Sequence, residues 1–368
     1  MSYLLYAANL HVGGGVQVAV SVISELSNTQ VDLSKISVWA STTVDQNLRG
    51  LKVDTSCFLE YRVVDHRGIK AFFSADRRLM ENFSCVLALF GPLYFAKLKT
   101  RTIVGFAQAW IISSKTEAYK LVSASERMFL RLKFYVQKYF FSLADEYVVE
   151  LSHVKDGLLS ANIGNAENIH VIHNCVSSIY SSPSLWVPVY IEAKDDELRI
   201  GYLGRNYAHK NTKILPNIKK LLLDRFGIRA QMFVTFTDEE WSSCSKSFKE
   251  GVVNVGPLSI AQCPSFYRQL DGVLFPSILE CFSATPLEAL AMERPLFASN
   301  RPFVRDICGD FAIYFDPMSP EDAALKIAEY FESPRGIDFL KLGRQHALNF
   351  SSPRLRALQY LELLNMSS

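Results

Sequence analysis

The sequence predicts an α/β protein built from two doubly wound domains, each a mostly parallel sheet with helices on both faces. Three observations carry this expectation. A chain of 368 residues is long enough for two or three domains. Each half alternates short, continuously apolar runs with helix-like stretches, the pattern of parallel strands covered on both sides. Between Ser177 and Glu197 that rhythm stops in a Ser/Pro-rich and then acidic segment, which resists regular structure.

The first half opens with Tyr3–Leu10, a buried-strand pattern, followed by His11-Val12-Gly13-Gly14-Gly15 and a helical stripe of Val16, Val18, Val22, Ile23 and Leu26. Further strands are expected at 36–40, 85–90, 102–106, 147–150 and 169–172. One long helix, free of Gly and Pro, is expected over about 115–141. Its apolar surface would come from Leu121, Val122, Met128, Phe129, Leu132, Tyr135, Val136 and Tyr139. Strand character resumes at 198–203 and recurs at 231–235, 251–255, 273–275 and 296–298. Helices are expected between these strands at about 212–226, 286–292 and 320–331. The last helical stretch, 336–364, is interrupted near Ser351-Ser352-Pro353. The expected domains are therefore 1–185 and 186–352, with a helix over about 353–368 packing back on the first.

Hydrophobic residues make up 49% and charged residues 21%, which excludes a largely disordered chain. Seven scattered cysteines are too few for a disulfide scaffold and fit a reducing compartment. No signal peptide is expected, because Met1–Leu10 has no basic start and no cleavage-like segment. Nor is a membrane span, because the most apolar stretch, Cys85–Ala96, is short and contains Gly91 and Pro92. The net charge of +2 argues against nucleic acid as a partner. Locally, however, residues 97–138 hold nine Lys/Arg against only Glu117 and Glu126. That segment is either a solvated basic face or an attachment surface for anionic lipid, with Phe106 and Trp110 at the interface.

Three segments are candidate sites. The glycines at 13–15 lie between strand and helix, where helix amides meet an anion or polar ligand, unless the turn serves packing alone. The run lacks a P-loop Lys-Ser/Thr and the G-x-G-x-x-G spacing. After the first strand of the second half come Arg205 and Lys210. They are suited to a diphosphate by a bidentate fork and a mobile point charge, or else they form an ordinary basic turn. Glu280 and Glu288 are eight positions apart, but Pro286 places only Glu288 in a helix, with Glu280 in the preceding loop. Glu288 is either a helix-start acid or an acceptor for a ribose diol. A glycosidase-like acid/base pair is a further reading. No His/Cys spacing resembles a metal site, and no metal is expected.

Taken together, these segments resemble the retaining glycosyltransferases of family 4, which have the GT-B fold of two Rossmann-like domains facing across a cleft. The resemblance rests on Tyr202-Leu203-Gly204-Arg205 with Lys210-Asn211, and on Phe275-Pro276-Ser277 with Glu280 and Glu288 in an E-x7-E element. Pro295–Asn300, Gly309-Asp310 and Tyr314–Pro317 follow in the family's order, with Gly13–Gln17 and Val171–Val176 in the first half. It implies a nucleoside-diphosphate sugar donor and no cofactor. Arg205 and Lys210 would hold the diphosphate, Glu288 the ribose, and Glu280 a hydroxyl or the developing charge of the sugar. Ser283 would lie at the sugar, and Gly14 and Gly15 would approach from the other domain. The acceptor would be a saccharide or a lipid-linked saccharide, and the protein cytoplasmic or peripheral on the inner membrane face.

The chain departs from the pattern at two places. His173-Asn174-Cys175 replaces Pro-Asn-Gly, and Glu280-Cys281-Phe282-Ser283 replaces Glu-Gly-Phe-Gly. The family's first-domain histidine has Gln108 or His66 as its counterpart here. Two other functions remain open: a sugar-nucleotide epimerase or isomerase, and a non-catalytic nucleotide-sugar-binding subunit.

Overall fold

The structure is a computed structural model that describes residues 2–113, 116–192, 194 and 196–365. It divides into two compact units. One comprises Met1–Ser114, Ala124–Asn174 and Ser352–Ser368, and the other Lys115–Ser123 and Cys175–Ser351. The second unit thus takes in residues 175–185 and a short piece of the first half.

In the N-terminal unit the strands are β1 (Tyr3–Ala7), β2 (Ile36–Ala40), β3 (Glu60–Val63), β4 (Cys85–Ala88), β5 (Arg101–Gly105), β6 (Glu146–Val149) and β7 (Ile169–Val171). They form one parallel sheet in the order β3-β2-β1-β4-β5-β6-β7. The C-terminal unit has β8 (Leu198–Tyr202), β9 (Ala230–Val234), β10 (Val252–Asn254), β11 (Gly272–Phe275), β12 (Leu296–Ser299) and β13 (Ile313–Phe315). Its order is β10-β9-β8-β11-β12-β13, again parallel. The central strands are buried on both faces, as β1 and β11 show throughout their lengths. That is why their sequences read as unbroken apolar runs. Strand β3 escapes that reading because it is an edge strand with no buried residue. Strand β13 escapes it because it is only three residues long.

Each sheet is closed by helices with one apolar face. The helix Gly14–Ser27 buries Val16, Val18, Val22, Ile23 and Leu26 against the first sheet. Each such side chain contributes about 1.5–3 kcal/mol when fully withdrawn from water. The helix Pro353–Asn365 joins the same core through Ala357, Tyr360, Leu361 and Leu364. In the second unit, Ile218 and Leu222 of Leu215–Phe226 and Ala323, Ala324 and Ile327 of Pro320–Glu332 cover the other sheet. Among the described residues no helix is long and apolar enough to cross a membrane, and all seven cysteines are free thiols.

The single helix expected over 115–141 is not continuous. A 3-10 turn, Glu117–Leu121, is separated from the helix Ala124–Phe141 by extended Val122; Lys115 lies outside the described residues. Most of the residues expected to supply its apolar surface do not lie on its covered face. Phe134, Phe140 and Phe141 are buried, whereas Met128, Phe129, Leu132, Tyr135 and Tyr139 are exposed. Periodicity reports that apolar residues share a stripe, not which of two stripes meets the core.

The C-terminal helix is also tied electrostatically. Arg356 is buried and donates to Ser21 Oγ (2.7 Å) and to Asn174 Oδ1. Glu150, buried just beyond β6, lies in the field of Arg356. Burial pushes the Glu150 carboxyl up from 4.5 to about 7, against the opposing pull of Arg356 and Asn174. The folded protein therefore keeps a proton that the unfolded chain releases between pH 4.5 and about 7. Through that window Glu150 costs stability as pH rises, in total about 3 kcal/mol, and the loss levels off above it. Unfolding free energy measured against pH should slope less steeply in Glu150→Gln than in the wild type. Parallel curves would contradict this.

Candidate donor-binding site

Strand order in the C-terminal sheet reverses between β8 and β11, so the segments leaving these two strands flank its topological switch point. Open α/β sheets bind ligands at such points. Gly204 follows β8 with φ of 149°, and a Cβ there would lie 2.9 Å from the Tyr202 hydroxyl oxygen. The turn is pinned on both sides. Gly204 N donates to Thr235 Oγ1 (3.1 Å), and the Tyr202 hydroxyl donates to the Arg205 carbonyl (3.0 Å). Arg205 is half out in solvent, and its Nε donates to Glu240 Oε1 at 2.7 Å. Glu240 also accepts from the Asn206 amide and closes a capping box with Thr237. Burial pushes the Glu240 carboxyl up, but Arg205 and the Thr237 and Asn206 amides outweigh it and hold the group below the usual range.

Lys210 ends a 3-10 turn, Ala208–Lys210, because Asn211 is left-handed (φ 56°) and anchors its side chain to the Pro317 carbonyl at 2.7 Å. Lys210 Nζ lies 2.5 Å from Glu280 Oε1, and both side chains are largely buried. The same Glu280 oxygen accepts from Ser277 Oγ at 2.6 Å. The two loops are stitched together, since Ile278 N donates to the His209 carbonyl at 2.8 Å and Ser277 Oγ reaches it at 3.3 Å. Burial pushes the His209 imidazole down, which keeps it neutral at pH 7. Folding thus joins Lys210 to Glu280, whereas Arg205 is held by Glu240.

Glu288 stands in the helix Ala284–Ala291, as Pro286 implied, and Glu280 in the loop before it. The Tyr267 hydroxyl donates to Glu288 Oε2 at 3.0 Å, and the buried Tyr180 hydroxyl is its second partner. Burial pushes the Glu288 carboxyl up, and the two tyrosines offset only part of that. The two acids have separate partners: a cation and a serine for Glu280, two phenols for Glu288. Ser283 is buried at the N-cap, but its hydroxyl does not cap the helix. Tyr180 and Tyr267 carried no local signal, being 108 and 21 positions from Glu288.

In the N-terminal unit, Gly13 needs its glycine, with φ of 73° at the helix N-cap. A Cβ on Gly14 would meet nothing within 4 Å, and one on Gly15 would touch Leu10 at 3.4 Å. Packing therefore does not require a glycine at 14. His66 is buried with both ring nitrogens engaged, Nδ1 on the Tyr6 hydroxyl (2.8 Å) and Nε2 on Asp76 (2.9 Å). Asp76 in turn pairs with Arg62. Gln108 is half-buried just past the carboxyl end of β5, at the start of the helix Ala109–Ile112. Among the described residues no group of three or more His, Cys, Asp or Glu is placed to hold a metal ion.

Residues 191–345 match the family model described as glycosyl transferases group 1. That stretch contains the whole Lys210–Glu280–Glu288 arrangement. A curated relative, the O-antigen chain mannosyltransferase RfbU of Salmonella typhimurium, is 24% identical over 178 residues. The aligned part spans about half of each protein, 47% of this chain and 47% of the relative. Among solved structures, a glycosyltransferase from Rickettsia africae aligns with a TM-score of 0.69 and 14% identity over 99% of this chain and 98% of that one. Anabaena HepE in complex with UDP and glucose aligns with a TM-score of 0.65 and 13% identity over 100% and 99%. The two parallel-sheet units are therefore those of the GT-B fold.

Proposed function

We propose that the protein is a retaining glycosyltransferase of family 4. It would act in the cytoplasm, moving a sugar from a nucleoside-diphosphate donor to a saccharide or lipid-linked saccharide acceptor in surface-polysaccharide synthesis. The observation that carries this reading is the largely buried Lys210–Glu280 pair at the switch point, within the segment that matches the glycosyltransferase model. The UDP and glucose bound in the Anabaena structure, and the mannosyltransferase activity in the relative's name, support the substrate class.

In this reading Lys210, assisted by Arg205, meets the charge that develops on the diphosphate as its bond to the anomeric carbon breaks. These side chains do so without a resident metal. Glu288 accepts hydrogen bonds from the ribose diol. Glu280, fixed by Lys210 and Ser277, accepts from a hydroxyl of the transferred sugar. The acceptor hydroxyl oxygen bonds to the anomeric carbon on the face the diphosphate leaves. Its proton passes to the departing phosphate oxygen, so configuration is retained. A screen of nucleotide sugars for nucleoside-diphosphate release, followed by anomeric assignment of the product on extracted lipid acceptors, tests the proposal. Conversion of the donor without an acceptor would point to an epimerase or isomerase instead.

A further inference from the structure

The helix Ala124–Phe141 has two apolar faces and uses only one. Phe134, Phe140 and Phe141 turn into the N-terminal unit. On the opposite side Met128, Leu132, Tyr135 and Tyr139 recur at i, i+4, i+7 and i+11, and each is 59–74% exposed. At 1.5 Å per residue they form a stripe roughly 16 Å long, with Phe129 (64% exposed) beside it. Tyr139 at the end of the stripe packs edge-on to the buried Phe140, which links it to a neighbouring element. Phe72 packs edge-on to Phe140, and Phe73, 84% exposed, packs on Phe72. An apolar surface of this kind on a folded domain marks a contact.

The charges around it indicate which contact. At 100° per residue, Arg127, Arg131 and Lys138 fall along one side of the stripe and Lys133 along the other, while the helix has only Glu126 as an acid. Exposed Lys70 lies in the same 3-10 turn as Phe72 and Phe73. A second copy docked here would bring cation against cation, whereas an anionic bilayer accepts both the stripe and its basic borders. Three other cations of the 97–138 region are engaged by acids. Lys97 pairs with Asp145, Arg101 with Glu146, and Lys120 with Glu117. Phe106 is fully buried, so it is not the interfacial aromatic that the sequence suggested, and Trp110 is half-buried and stacks on Phe134.

We propose that the exposed face of Ala124–Phe141, with Phe72 and Phe73, is a membrane-surface site that lies flat on anionic lipid. The inference does not depend on the transfer reaction. Its test is flotation of the full chain with phosphatidylglycerol–phosphatidylcholine vesicles, against pure phosphatidylcholine. The wild type should float with the anionic vesicles and be released by raised salt. Lys133→Glu/Lys138→Glu should lower partitioning about 10²-fold. Leu132→Ser/Tyr135→Ser should lower it about tenfold or more, with circular dichroism unchanged because both side chains are exposed. The proposal is overturned if the wild type stays in solution with anionic vesicles, or if both variants float as it does. It is equally overturned if sedimentation shows a dimer that Leu132→Ser/Tyr135→Ser dissociates while vesicles go unbound. Nucleoside-diphosphate release on soluble acceptors should be unaffected, which separates failure of this surface from failure of the transferase reading.

Discussion

Exchange of Lys210 for methionine should lower nucleoside-diphosphate release by about 10²–10³-fold, the range seen when one preorganised group that stabilises transition-state charge is removed. On the proposed reading Lys210 is placed for that effect. Its ammonium is mostly shielded from water and held 2.5 Å from Glu280 by a turn that Asn211 fixes. On that reading no side-chain reorganisation would be needed as charge develops on the diphosphate. The single variant has a second consequence, because it leaves the Glu280 carboxylate shielded and without its cation, which costs roughly 3–5 kcal/mol of stability. A poor rate alone would thus be ambiguous. The double variant Lys210→Met/Glu280→Gln removes both charges and should recover most of the lost thermal stability without recovering transfer. If the double variant, folded as the wild type, released nucleoside diphosphate at the wild-type rate, Lys210 would have no role in the chemistry. Arg205 should matter less. Its Nε is already engaged by Glu240 and half of its side chain is in solvent, so Arg205→Ala should weaken donor binding more than it slows turnover.

The central strands were legible because burial on both faces leaves an unambiguous run of apolar residues, and β2 begins and ends where its run does. The segment after β11 was legible because Pro286, with its fixed φ, marks the first turn of a helix and so puts Glu288 in it and Glu280 in the loop before it. Pairings across long separations were not. Nothing near Arg205 foretells Glu240, and nothing near Glu288 foretells Tyr180, since such contacts depend on how strands are ordered in the sheet. The helix Ala124–Phe141 failed for a different reason. Its two apolar faces are equally periodic, and only the position of the first sheet decides which one is covered.

Donor affinity should rise with pH until Glu288 is ionised in the free protein, and then level off. Burial holds this carboxyl above the ordinary range, so the ligand-free protein keeps a proton there beyond the pH at which an exposed glutamate would lose it. A ribose diol offers two donors, which suit a carboxylate and conflict with a carboxylic acid. If Glu288 holds the ribose as proposed, binding expels the proton, and affinity should be weakest at low pH, where that expulsion is most costly. Calorimetry of the bare nucleoside diphosphate in buffers of different ionisation enthalpy should detect proton release in the wild type. In Glu288→Gln that release should vanish, and affinity should fall about 10- to 100-fold, equivalent to losing charge-assisted hydrogen bonds worth about 1.5–3 kcal/mol. The tyrosines give an independent handle. The Tyr267 hydroxyl stabilises the ionised form through its 3.0 Å bond, so Tyr267→Phe should move the rise in affinity to higher pH without abolishing it. A 2′-deoxyribose nucleotide should lose affinity in the wild type and very little in Glu288→Gln. Equal losses in both proteins would place the ribose against some other group.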